Sequence, residues 1–225
     1  MASPALAAET TKVILDERFF AQAARELSER DAHLAGVIKE YGLPPLWSRE
    51  PGFPTLVYII LEQQVSLASA RALYSRLQDA VRPLTPGRFL KLTEAQMRAL
   101  GFSRQKAHYT RLLAEVIGRK QFALHELHEL EDARAREQLT ALKGIGPWTA
   151  DIYLLSALRR PDIWPIGDLA LATAVQEVKR LRRRSSPEKL EAMSAPWRPW
   201  RAVAARLFWH AYLCKRGQRF ATVSL

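Results

Sequence analysis

Apolar positions recur along almost the whole chain at spacings of three and four, and no convincing alternating run interrupts them. That is the period of helices with a buried face, not of strands. The pattern predicts an all-α protein of about ten helices. Two short helices are expected near Asp16–Ser28 and Asp31–Tyr41, each led by an aspartate at an N-cap position. Gly42 and Pro44-Pro45 stop the second, and residues 43–54, with four prolines and Gly52, read as a loop. Thr55–Val81 reads as two helices joined at Gln63-Gln64-Val65, with Ser66 capping the second and Pro83 and Pro86-Gly87 ending it. Thr93 with Gln96 three residues on has the form of a capping box for Glu94–Leu100, closed by Gly101, and Ser103 caps Arg104–Ile117. Later helices are expected at Glu129–Leu142, Pro147–Leu158, Leu169–Leu181, Pro187–Met193 and Pro199–Cys214. Pro147, Pro187 and Pro199 each suit a first helical position, where the missing N–H costs nothing.

Composition narrows the class. The 225 residues, 48% apolar, are enough for one domain or two small ones with a real core. No run approaches the ~20 apolar residues that span a bilayer. Met1–Ala8 lacks the basic start and apolar centre of a secretory signal. The one cysteine, Cys214, excludes an intrachain disulfide, a cysteine-based zinc site and an iron–sulfur cluster. A cytoplasmic protein is expected.

Charge adds a partner. Lys and Arg number 34 against 23 Asp and Glu, a net +11. A surplus of that size points to a polyanion, because basic side chains release counterions from a phosphate backbone. A merely solubilising basic surface is the blander reading. The densest run, Lys179–Arg184, either tracks phosphates or is a solvated helix end. Arg104 and Lys106, opening a Ser-capped helix, are further phosphate candidates. His125 and His128 lie beside Glu126, Glu129 and Glu131, but no fuller metal-ligand set accompanies them.

The most specific stretch is Leu142-Lys143-Gly144-Ile145-Gly146-Pro147-Trp148-Thr149-Ala150-Asp151. A helix ends, a Gly-x-Gly hairpin turns, and a new helix starts at Pro147. The glycines permit positive φ and clear the turn of side chains. Backbone N–H groups at Gly144, Ile145, Gly146, Trp148 and Thr149 then face outward at a helix N-terminus, a geometry suited to a DNA phosphate. Ile145 is placed to anchor the hairpin in the core. The competing reading is a plain helix–turn–helix connection whose glycines only cap. Asp168, about twenty residues on behind Pro165 and Gly167, precedes an amphipathic helix and by itself reads as an N-cap.

The hairpin, with Arg160-Pro161-Asp162-Ile163-Trp164-Pro165-Ile166-Gly167-Asp168, resembles the helix–hairpin–helix Gly/Pro/Asp (HhH-GPD) superfamily of DNA base-excision glycosylases. Ile59–Ser66 and Trp197-Arg198-Pro199-Trp200-Arg201 running into Phe208-Trp209 are similar to its 3-methyladenine DNA glycosylase II (AlkA-like) branch. The matches run over about residues 53–210. The resemblance implies two helical lobes within one domain over 1–225, roughly 50–160 with the hairpin and 1–49 plus 161–225, around a DNA-binding cleft. The mixed α/β domain that precedes this unit in some relatives is not expected, since little chain stands before residue 53.

The resemblance also assigns roles. Asp168 falls on the catalytic aspartate, and both this role and capping can coexist. A fixed anion stabilises the positive charge that builds on a deoxyribose as its base departs. Alkylated bases are already cationic and leave without a second, protonated carboxyl. Trp148 holds the position of the lysine that forms a Schiff base in strand-nicking members, so a monofunctional enzyme leaving an abasic site is implied. Gln64 matches the residue that fills the gap left by an extruded base, with Gln63 and Val65 beside it; the best-known bacterial relative has an apolar residue there, and a solvated helix-end glutamine is the alternative. Trp209 aligns with a stacking tryptophan of the base pocket. Trp148, Ile152, Tyr153, Tyr58 and Trp47 are further pocket candidates, although tryptophans of helical proteins are mostly core. Ile152 stands where the family has a pocket tyrosine.

The expected partner is double-stranded DNA carrying damaged bases, approached by a monomer that needs no cofactor. Whether a monovalent cation sits on the hairpin's backbone is open. The competing functions are excision of oxidised, deaminated or mismatched bases, and non-catalytic binding of DNA.

Overall fold

The computed structural model describes residues 13–218. Met1–Ala8, read above for a signal, lies outside them. The described residues form twelve α-helices and two 3₁₀ turns, without a strand. None of these helices is long and apolar enough to cross a membrane.

Local chemistry sets many boundaries. Asp16 accepts from the Phe19 amide at 2.7 Å and opens α1 (Glu17–Arg30). Asp31 accepts from the His33 and Leu34 amides and opens α2 (Ala32–Tyr41). Gly52 precedes α3 (Phe53–Glu62), Ser66 caps α4 (Leu67–Ala80), and Thr85 caps the one-turn α5 (Pro86–Phe89). Thr93 and Gln96 form a complete capping box on α6 (Glu94–Leu100), which ends at a left-handed Gly101. Ser103 caps α7 (Arg104–Gly118). Then follow α8 (Asp132–Thr140), α9 (Pro147–Ser156), α10 (Leu169–Val178), α11 (Pro187–Ser194) and α12 (Arg201–Lys215).

These helices pack in two groups. α3 contacts α4, α7 and α9, with α5 and α6 on α7 and α8 on α9. α12 contacts α10, α2 and α1. Three helices are buried along most of their length: α3 from Thr55 to Glu62, α9 from Thr149 to Ser156, and α12 from Ala202 to Trp209. Such all-round burial explains their dense apolar sequence. Arg206 joins the groups. It is fully buried and donates to the carbonyls of Leu46 (2.7 Å), Leu155 (2.8 Å) and Ala202 (3.0 Å). Burial pushes its guanidinium down to about 9, against the weaker opposing pull of the Glu17 carboxylate.

Several expected boundaries move. α3 starts at Phe53, two residues inside the expected loop, because Pro54 fits its first turn. Pro86-Gly87 opens α5 instead of only ending the preceding helix. The helix expected over Glu129–Leu142 is present as the shorter α8, which starts three residues later, and a 3₁₀ turn, Leu124–His128, precedes it. One guanidinium nitrogen of the buried Arg160 meets the carbonyls of Leu127, His128 and Leu130 and pins the turn that precedes α8. α9 stops at Ser156 and α10 at Val178, ahead of the left-handed Arg159 and Arg180. Pro199 lies outside α12. Its first turn is held at Arg201 and Ala202, whose amides donate to Asp162 Oδ1 (3.3 Å) and to the Pro161 carbonyl (2.9 Å).

Candidate active site

Asp168 stands at the N-terminus of α10, where its Oδ1 accepts from the Leu171 amide at 2.6 Å. The segment leading to it is pinned twice. Asp162 is held by the Arg201 guanidinium at 2.8 and 2.9 Å. Further on, Oδ2 of Asp151 accepts from the Ile166 amide at 3.3 Å, while its Oδ1 takes Arg136 Nε at 2.6 Å. Burial pushes the Asp151 carboxyl upward, against the pull of Arg136. Gly167 then turns the chain at φ +82°.

Two indoles complete the surroundings of Asp168. Trp148 Nε1, from α9, donates to Oδ2 at 2.8 Å, and Trp209 Nε1, from α12, donates to Oδ1 at 3.2 Å. The carboxylate therefore lies where the two helix groups meet. Of its roughly four acceptor positions, three are filled by donors among the described residues, and the one these leave open is on Oδ2. Asp168 is partly exposed, and Leu169 beside it is 69% exposed.

The hairpin reaches the same place through Trp148. Ile145 is buried, and its amide donates to the Leu142 carbonyl at 3.1 Å. Its N–H is thus spent inside the turn, unlike the expectation of an outward donor. The two glycines differ. Gly144 has φ +90°, and a Cβ there would lie 2.3 Å from Cγ of Tyr109 on α7. Gly146 has φ −89° and open space around the missing Cβ. Among the described residues, none would touch a Cβ at position 146, so the backbone there is open to the outside. No side chain caps α9, which leaves its first-turn N–H groups available to an anion.

The junction between α3 and α4 is mounted on this hairpin. Nε2 of Gln63 donates to the Gly144 carbonyl (3.0 Å) and to Thr149 Oγ1 (2.9 Å). Gln63 is therefore turned inward, and Thr149, nearly fully buried, meets it from α9. Gln64 follows in the left-handed region at φ +57° and is exposed, as is Val65. Beneath the junction, Glu62 forms a two-pronged ion pair with Arg49 at 2.7 and 2.8 Å. Lys106 donates to the Leu61 carbonyl at 2.7 Å, at the negative end of α3. Burial holds that ammonium below the usual lysine range. Its ammonium is thus directed at α3, while Arg104 stays exposed.

The remaining aromatic candidates are placed separately. Ile152 shares a face of α9 with Trp148, four residues away, and is buried. Tyr58 packs against Tyr74 (4.7 Å) and under Arg49 (4.8 Å). Tyr153 is fully buried, and its hydroxyl accepts from the Gly52 amide at 3.0 Å. It lines a cavity of about 580 Å³ with Gly52, Phe122, Leu124 and His128, a site that includes neither Asp168 nor either indole. Trp47 packs on His210, next to Trp209 in sequence, at 6.2 Å. Among the described residues, no three His, Cys, Asp or Glu side chains come close enough to hold a metal ion.

Three long-range partnerships were not found in the sequence: Tyr109 under the hairpin, Arg136 opposite Asp151, and the pair of hydrogen bonds from Gln63 to Gly144 and Thr149. The one usable signal was Asp151, an acid between Ala150 and Ile152, which must find a partner when buried.

A model of the HhH-GPD superfamily of base excision DNA repair proteins matches residues 57–199. YfjP of Bacillus subtilis is 27% identical over 79% of this chain and 65% of its own length. A second B. subtilis protein, named DNA-3-methyladenine glycosylase, is 24% identical over 76% of this chain and 59% of its own. The chain thus spans about three fifths of the length of these two relatives. A structure of the Schizosaccharomyces pombe 3-methyladenine DNA glycosylase Mag1 in complex with abasic DNA superposes with a TM-score of 0.78. It is 26% identical and covers 84% of this chain and 95% of that one.

Proposed function

We propose that this chain, which belongs to the HhH-GPD superfamily of base excision DNA repair proteins, removes alkylated bases of the 3-methyladenine and 7-methylguanine type from double-stranded DNA by hydrolysis, leaving an abasic site. The observation that carries the reading is Asp168, held at the junction of the two helix groups by the indole N–H groups of Trp148 and Trp209. The names of the relatives support the substrate class.

The chemistry follows from what the carboxylate has left to offer. With Oδ1 shared between Leu171 and Trp209, and Oδ2 bonded to Trp148, Asp168 cannot swing to protonate a leaving group. It acts as a fixed anion facing C1′ of the extruded nucleotide. When the C1′–N bond breaks, its electron pair neutralises the cationic alkylated base, which departs without a proton donor. The deoxyribose takes up the positive charge, which the anion stabilises. Water adds to C1′ and releases its proton, guided by the free position on Oδ2. Gln64 enters the vacated stack, and Trp209, Trp148 and Ile152 face the flipped base. The backbone around Gly146 grips a phosphate of the damaged strand. The duplex lies across the junction of the two groups, and the enzyme acts as a cytoplasmic monomer.

The reaction ends at the abasic site, because Trp148 replaces the nucleophilic lysine of strand-nicking relatives and is itself committed to Asp168. Incubation with methylated duplex DNA tests the reading. Free 3-methyladenine or 7-methylguanine is expected, and borohydride is expected to trap no covalent enzyme–DNA adduct. A trapped adduct contradicts the monofunctional assignment. Release of oxidised or mismatched bases alone contradicts the substrate class, and binding without any release contradicts catalysis.

A further inference from the structure

The basic run after α10 is not part of the site. Between Lys179 and Lys189 the chain carries six cations and one carboxylate. Lys179 is neutralised by Asp31 at 2.5 Å. At the C-terminal end of the neighbouring α12, Lys215 and the following Arg216 are paired with Glu177. Arg182, Arg183 and Arg184 are consecutive and exposed, and none of them pairs with a carboxylate among the described residues. The single acid of the stretch, Glu188, is engaged by its own amide and by the Ser186 hydroxyl at the start of α11.

Complementing the helix dipole does not explain these arginines. That effect is confined to the last turn and so reaches Lys179 and Arg180, not residues 182–184. Nor do they belong to the hairpin. Asp168 stands at one end of α10 and the arginines follow the other, about 15 Å away for ten helical residues.

We propose that Arg182–Arg184 form a second phosphate-binding surface, which holds DNA backbone away from the damaged nucleotide. It adds sequence-independent affinity while the chemistry at Asp168 is unaffected. The proposal rests on DNA being the substrate, but its readout is binding and not base release. Phosphate chemistry is common to two sources, the flank of the duplex being repaired and a second duplex.

The test compares the wild-type chain with the triple variants Arg182→Ala/Arg183→Ala/Arg184→Ala and Arg182→Lys/Arg183→Lys/Arg184→Lys. Affinity for a 40-base-pair undamaged duplex is measured against salt concentration. The slope of log affinity against log salt is expected to shrink by about 2–3 for the alanine variant, as for three lost phosphate contacts, and to be retained by the lysine variant. Single-turnover base release from a 10-base-pair lesion duplex at saturating enzyme is expected to be unchanged. Binding of a labelled second duplex to enzyme already holding an abasic product duplex separates the sources. If that binding is lost in the alanine variant, the surface serves a second duplex; if only the 40-base-pair slope changes, it serves the flank. An unchanged slope overturns the proposal, and so does a loss of single-turnover rate without a change of slope. Absence of base release by the wild type would instead count against the excision reading alone.

Discussion

Trp148 and Asp168, twenty residues apart, are joined at 2.8 Å by one indole hydrogen bond, which ties the hairpin helix α9 to the N-terminus of α10. The bond makes Trp148 more than an aromatic surface, since it fixes which carboxylate oxygen remains open. Trp148→Phe keeps a ring and deletes the donor. A hydrogen bond to a charged group is worth about 1.5–3 kcal/mol, so single-turnover excision is expected to fall roughly 10- to 100-fold. Affinity for an undamaged duplex should remain within about twofold. Equal losses in rate and binding would show that Trp148 serves the phosphate grip instead.

The two hairpin glycines should separate stability from binding. Gly144→Ala meets both a left-handed backbone and the Tyr109 ring, and is expected to lower stability by more than ~2 kcal/mol. Gly146→Ala meets neither and should leave thermal unfolding nearly unchanged. It should weaken DNA binding severalfold by placing a methyl group where a phosphate approaches. Unaltered DNA affinity for Gly146→Ala would remove the phosphate role.

Gln63 is bonded inward to Gly144 and Thr149 and so fixes the backbone that carries the exposed Gln64. Gln63→Ala leaves the Gly144 carbonyl and the buried Thr149 hydroxyl without their donor, a cost of about 1–3 kcal/mol. Excision of a lesion from a fully paired duplex is expected to drop about tenfold, because the junction no longer holds Gln64 in register. Excision from a mismatched site, whose base is easier to extrude, should drop less. A uniform loss on both substrates would point to general unfolding, which a melting curve resolves.

Asp151 is predicted to control the approach of the segment bearing Asp168. Asp151→Asn removes the ion pair to Arg136 and weakens the hold on the Ile166 amide. Because Arg136 is one-third exposed, the loss is expected near 2 kcal/mol, below that for a fully buried pair. The variant should melt several degrees lower and release base more slowly, with a larger effect on rate than on DNA affinity.

Local features of this fold were legible in the sequence. Asp16, Asp31, Ser66, Thr93 and Ser103 cap as expected because each acts within three residues of itself. The hairpin could be read for the same reason, since Gly144, Gly146 and Pro147 announce a turn and a helix start. Asp168 was visible as a cap, and the chemical role proposed for it came from the family resemblance. Contacts that cross the chain were not legible. Gln63 looks like its neighbour Gln64 in sequence, and only its 81-residue reach to Gly144 turns one inward and the other out. The helix expected from Glu129 starts late, at Asp132, where Arg160, thirty residues on, takes the Leu130 carbonyl just ahead of it. Likewise Tyr58 and Tyr153, plausible as pocket aromatics by composition, are held by Arg49, Tyr74 and Gly52.

The most direct measurement is single-turnover release of 3-methyladenine or 7-methylguanine from one defined duplex by the wild type and by Asp168→Asn, with affinity for that duplex recorded in parallel. The amide keeps the size of the side chain and an acceptor for the Leu171 amide, but carries no negative charge. The prediction is a loss of at least a hundredfold in release with DNA affinity held within a few fold. Release at the wild-type rate from the bound variant would contradict the account, because the anion at residue 168 would then have no part in breaking the glycosidic bond.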